Sequence, residues 1–241
     1  DGEFCDVQFL RSIKNINKRL KIEKGSRRNF FCGFLKLIIM DELESNLLKI
    51  DIFSKYNNLI PYLGKNYSQY KILIIGESHF LEENVIDQVK DDFYEGNLNN
   101  YEHYIKENIN ILNNKYECTR KKLHPIHKNI LSALKKNNLD YNNIAYYNFF
   151  LKPAKFRTTL NLTEKDIEVA NDVIKKIINI LTPRIIIFVS KKAYLNYHNR
   201  ESKSFYVQHP TCHWWHKKST NQKLYGKEKF VDIISKNIEK F

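Results

Sequence analysis

Residues 72–80 read ILIIGESHF. An apolar run stops on Gly76 and then delivers a carboxylate, a hydroxyl, an imidazole and an aromatic ring at Glu77, Ser78, His79 and Phe80. This is the pattern of a strand opening into a reaction site, with side chains suited to acid–base and hydrolytic work. Three other stretches carry comparable chemistry. Asn148 precedes LKPAKFR, which holds Lys152, Lys155 and Arg157; SKKAY at 190–194 holds Lys191 and Lys192; and HPTCHWWHKK at 209–218 groups three histidines, two tryptophans and two lysines. Each feature also has a plain structural counterpart: Gly76 as a tight turn, Glu77 as an anion at a helix terminus, Asn148 as a turn-former, and Trp214 with Trp215 as a cover for one end of the core.

The elements that would position these groups alternate along the chain. Continuous apolar runs at 71–76, 143–150 and 184–190, with SFYVQ at 204–208, have the length and composition of strands buried on both faces. Helical patterns fall at 82–94, 99–116, 121–138, 162–181 and 221–241. The one at 162–181 opens with Thr163 three residues before Asp166, close to a capping box, and stops before Pro183. Strands separated by helices imply an α/β fold, here a three-layer α/β/α sandwich around a central, mostly parallel four-stranded sheet. In such sheets the ligand sits beyond the carboxyl ends of the strands, where all four clusters fall.

Lys and Arg number 40 against 27 Asp and Glu, giving a formal charge of +13 and a pI near 9.4. That balance fits a protein that meets a polyanion, nucleic acid first, although a lysine-favouring codon bias would produce it too. Cys5, Cys32, Cys118 and Cys212 share no metal-ligand spacing, so neither a bound metal nor another cofactor is expected, and reduced thiols fit a cytoplasmic location. No apolar stretch reaches the roughly 20 residues needed to cross a bilayer, and a monomer is expected. Met40 begins DELESNLLKIDIFSKYNNLIPYLG, with Leu43, Leu47, Leu48, Ile52 and Phe53 at helical spacing as far as Pro61 and Gly64. Residues 1–39 therefore read as a basic leader, appended or untranslated, or as a basic arm for a nucleic-acid backbone, and 40–241 as a single domain.

The order ILIIGES, YYNFFLKP, a helix, LTPRIIIFVSKKAY and VQHPT resembles the uracil-DNA glycosylase superfamily, most of all its shorter bacterial branches, over about residues 70–215. In that family a strand enters a water-activating loop, a second strand supplies an asparagine, a helix leads through proline into a third strand, and the last strand delivers a His-Pro-Ser/Thr-like motif. Gly76-Glu77-Ser78, Asn148, Pro183-Arg184-Ile185 and His209-Pro210-Thr211 take those places. The resemblance implies a base-excision DNA glycosylase that hydrolyses the N-glycosidic bond of a flipped uracil or other damaged or modified base in duplex or single-stranded DNA. Glu77 would hold the water and His209 would stabilise the leaving base. Gly76, Ser78, His79, Phe80 and Asn148 would bind the base, the Asn148 carboxamide matching an imide edge. Trp214 or Trp215 would be the wedge in the duplex, with phosphate contacts from Thr211, His216, Lys217 and Lys218 and from Lys152, Lys155, Arg157, Lys191 and Lys192. The first motif departs from the family pattern, with Ser78 and His79 where an aspartate or small residue and then a proline are usual. Two alternatives accompany this expectation: a catalytically inactive nucleic-acid-binding relative, and a metal-dependent hydrolase built on His209, His213 and His216.

Overall fold

Ile72–Gly76 forms strand β2, whose five residues are all buried. It lies between β4 (Ile144–Asn148) and β6 (Ile185–Phe188) and is parallel to both, in register Ile72↔Ile144 and Ile72↔Ile185. Strand β7 (Ser204–Tyr206) adds in parallel to β6, and β1 (Tyr62–Leu63) adds antiparallel to β4. The sheet order is therefore β1-β4-β2-β6-β7. The protein is an α/β protein with a mixed five-stranded sheet. The four expected strands form its parallel part, and the short antiparallel edge, next to Pro61 and Gly64, was not anticipated.

The computed structural model describes residues 38–81, 113–155, 159–200, 202–218 and 224–238. The chain divides into two units, Asp1–Ile39 and Met40–Phe241, and the sheet belongs to the second. The helices expected at 82–94 and over most of 99–116 lie outside the described residues.

Two apolar clusters account for the continuous hydrophobicity of the strands. Leu73, Ile75, Ala145, Tyr147, Ile186 and Phe188 pack with helix α6 (Glu164–Leu181) and with Leu47 and Phe53. Ile72, Ile74, Ile144, Tyr146, Ile185 and Ile187 pack with α5 (Pro125–Leu134) and α9 (Gly226–Ile238). Successive strand residues point to opposite faces, and each face meets helices, so neither has a polar register.

Local signals explain the helix ends. Thr163 caps α6: its hydroxyl accepts from the Asp166 N–H, and the Asp166 carboxylate accepts from the Thr163 N–H at 2.8 Å, the reciprocal box that the sequence indicated. The helix closes on Thr182 in the left-handed region (φ 43°), and Pro183 prevents its continuation. The helical pattern after Met40 is broken rather than continuous. Residues 40–47 lie in a helix (α1) that tightens through three-residue bonds, Lys49 N–H to Asn46 O and Ile50 N–H to Leu47 O, before α2 (Asp51–Lys55) begins, and the single turn α3 (Tyr67–Tyr70) leads into β2. The helix expected from 121 starts instead at Pro125, with His124 as its cap and the proline where a missing N–H costs nothing. Among the described residues, no helix is long and apolar enough to cross a membrane.

Candidate active site

The backbone of the GESHF segment is stitched to the chain leaving β4. Phe149 and Phe150 donate to the Gly76 and Glu77 carbonyls at 3.2 and 2.8 Å, and Ala154 donates to His79 O at 2.8 Å. Strand β3 (Phe80–Leu81) then pairs in parallel with β5 (Ala154–Lys155). The motif is thus held on a backbone frame, which suits a site. A Cβ at Gly76 would collide with the Asn148 Oδ1 and the Tyr146 hydroxyl. That close approach explains the glycine: the polar ends of two β4 side chains cross over it.

Asn148, 3 % exposed, is engaged at both ends of its amide. The Tyr146 hydroxyl donates to Oδ1 at 3.0 Å. Asn114, at the start of α4 (Asn114–Thr119), donates from Nδ2 to the Leu59 and Ile60 carbonyls, so its Oδ1 faces Asn148 Nδ2 at 3.4 Å. The same Nδ2 lies 3.4 Å from Glu117 Oε2. Glu117 Oε1 is 3.1 Å from His79 Nδ1, and Oε2 is 3.5 Å from His127 Nε2, while the Tyr141 hydroxyl sits 2.8 Å from His127 Nδ1. Burial alone would push the Glu117 carboxyl up, but the charge and hydrogen bonds of His79 and His127 outweigh it and hold the group well below the usual carboxylate range. Burial pushes the Tyr146 and Tyr141 phenols up, so both keep their O–H donors.

This network forms one wall of a cavity of about 250 Å³ that Ser78, Phe80, Tyr116, Arg120, His124 and Asn148 also line. Two polar atoms here are buried without a hydrogen-bond partner, Ser78 Oγ and Arg120 Nε. Phe80 and Tyr116, which line the cavity, are 38 % and 40 % exposed.

Glu77 directly follows β2, and His209 lies three residues beyond the end of β7. The Ser190 hydroxyl, itself buried at the cap of α7 (Lys191–Asn196), donates to Glu77 Oε2 at 2.6 Å. The Thr211 N–H and hydroxyl lie 3.3 and 2.9 Å from His209 Nδ1. A backbone N–H can only donate, so Nδ1 is the acceptor and the neutral ring carries its hydrogen on Nε2. Asn129 of α5 anchors the loop by donating to Pro210 O at 2.8 Å. Burial lowers the His209 pKa, the Glu77 charge opposes the shift and the His124 charge adds to it, so the imidazole stays neutral to lower pH than usual. The charges of Glu77 and His124 thus act on His209 in opposite directions, and of the three only His124 lines the cavity. Ser78, Phe80 and Asn148 line it too.

No protein-family model matches this chain, and no curated protein matches it.

Several sequence expectations need correction. Lys152 is buried and pairs with Asp166 at 3.5 Å, so it is a core ion pair rather than a phosphate contact. Lys192 is half-buried and donates to Leu160 O at 2.7 Å, which fixes a loop. Trp215 is fully buried against Phe230, so it covers the core and is not placed as a wedge; Trp214, 46 % exposed, is the one that can act outward. Lys191, His216, Lys217, Lys218 and Thr211 are exposed. Arg157 and the side chain of Lys155 lie outside the described residues. His213 and His216 belong to the single-turn helix α8 (His213–His216), and among the described residues no three His, Cys, Asp or Glu side chains are grouped to hold a metal ion.

Most of the residues that sequence reasoning missed come from 116–127, YECTRKKLHPIH; Asn114, Tyr141, Tyr146 and Ser190 lie outside that stretch. Its usable signal was His124-Pro125, a second His-Pro step in which proline sets a helix start and turns the preceding imidazole outward as a cap.

Proposed function

We propose that this protein is an N-glycosyl hydrolase acting on a base extruded from DNA, with the arrangement of a uracil-DNA glycosylase-like enzyme. The reading is supported above all by one observation: Glu77 and His209, far apart in the chain, follow the carboxyl ends of β2 and β7, parallel strands with only β6 between them.

The roles follow from the fixed atoms. Ser190 occupies Oε2 of Glu77, leaving Oε1 to orient water toward the sugar C1′. As the C1′–N bond breaks, its electron pair departs with the base and positive charge develops on the sugar beside the carboxylate. The water oxygen bonds to C1′ and its proton passes to Glu77. His209, neutral and with its hydrogen on Nε2, donates to the anionic base. Lys191, Lys217, Lys218 and Trp214 form the exposed basic and aromatic rim that meets the backbone.

Oligonucleotides bearing uracil, hypoxanthine, xanthine or modified cytosine, incubated with the protein and then treated to cleave abasic sites, test this reading. Base release should fall roughly 10²–10⁴-fold in Glu77→Gln and in His209→Ala while DNA binding persists. Binding without release from any substrate would favour an inactive relative.

A further inference from the structure

The group that selects a ligand in this cavity is the one with hydrogen-bonding capacity left. The imide complement expected from Asn148 is already engaged: Oδ1 accepts from Tyr146, and Nδ2 faces His79, Asn114 and Glu117. An imide edge needs a donor and an acceptor from its reader, and this amide has only the second lone pair of Oδ1 to offer. The unsatisfied capacity lies elsewhere on the wall. Ser78, 5 % exposed, has a hydroxyl without a partner, Arg120 has a buried Nε–H without one, and the Glu117 carboxylate retains acceptor sites beyond those used by its two histidines and Asn148. The exposed rings of Phe80 and Tyr116 offer apolar faces to a flat ligand. At about 250 Å³ the cavity falls below the roughly 300–1,000 Å³ of sites for drug-sized ligands, so it has room for one heterocycle and little else.

We infer that the cavity takes a nucleobase bearing an exocyclic amine next to a ring acceptor, the edge of cytosine- or adenine-type bases, with Glu117 accepting from the amine and Arg120 or Ser78 donating to the acceptor. This rests on the reading of the cavity as a base pocket. It departs from the uracil-type specificity that the sequence resemblance implies. An imide offers Glu117, ionised beside His79 and His127, a single N–H flanked on both sides by carbonyl oxygens that the carboxylate repels, whereas an exocyclic amine turns its hydrogens to the carboxylate with no carbonyl oxygen next to it.

Two parallel experiments separate this inference from the hydrolase reading. Saturation-transfer NMR with free cytosine, adenine, uracil and thymine measures recognition without chemistry. The amine-bearing bases should bind about tenfold or more tightly than the imides, the factor one charge-assisted hydrogen bond supplies. Glu117→Gln, which substitutes a neutral amide with a donor of its own, should bring the ratio toward one. Because Glu117 is half-buried in a network, Arg120→Ala serves as a second variant, expected to weaken cytosine and adenine while leaving the circular dichroism unchanged. Preferential binding of uracil, equal binding of both classes, or binding of neither would overturn the inference. The oligonucleotide assay supplies the other arm: amine-selective binding without release of any base leaves the recognition standing and removes the hydrolase.

Discussion

Gly76→Ala would drive a methyl group into the Asn148 amide and the Tyr146 hydroxyl, both buried and bonded to each other. The two side chains must separate, so stability should fall by about 1–3 kcal/mol in urea denaturation, and base binding should fall with it. His209 makes a different prediction. Its pKa is lowered by burial, so any step that needs a neutral Nε2–H donor should hold its rate to below the ordinary histidine pKa of about 6.5 before the acid limb begins. A pH–rate profile on the best oligonucleotide substrate shows this, and an acid limb above that value would assign the limb to another group.

At the level of elements, the two neighbouring tryptophans should separate cleanly. Trp215→Ala empties a fully buried site against Phe230 and should cost about 3–5 kcal/mol by chemical denaturation. Trp214→Ala should change stability by less than about 0.5 kcal/mol and reduce base extrusion, read with a fluorescent base analogue at the target position. Thr182, β-branched and left-handed at the end of α6, is a strained cap, and Thr182→Gly should stabilise the protein by up to about 1 kcal/mol even though Lys71 Nζ loses its 3.0 Å bond to the threonine hydroxyl. The elements most legible in the sequence were those whose signal is local: the buried runs ILIIG and IIIF, and the Thr163–Asp166 box. The edge Tyr62–Leu63 was not legible, because two residues carry no period. Nor was the wall Glu117–His127, since a glutamate and a histidine ten positions apart share a site only through α4 and α5 packing on β4. Trp215 was ambiguous for a related reason: an aromatic pair looks the same in sequence whether one ring or both face solvent.

For the whole molecule, acid should be more damaging than salt. Glu117 is held below its ordinary pKa, so its contribution is present above the unfolded-state value of about 4.3 and is lost as pH falls toward the lower folded value. His209 acts in the same direction from higher up, because the folded state resists a proton that the unfolded chain accepts below about 6.5. Thermal stability should therefore decline in two stages as pH falls, the upper one absent in His209→Gln. DNA affinity should follow the three exposed lysines 191, 217 and 218, with a log K against log salt slope of about −3 that Lys217→Ala/Lys218→Ala flattens by about two units. The strand order carries one more consequence. Strand β2 is central in space but early in sequence, so during synthesis its five buried residues emerge before either parallel neighbour exists. At roughly 5–20 residues per second, β4 follows some seconds later and β6 later still. Throughout that interval the nascent chain displays an unpaired apolar strand, so the folding yield of this protein in the cell should depend on ribosome-associated chaperones that shield it.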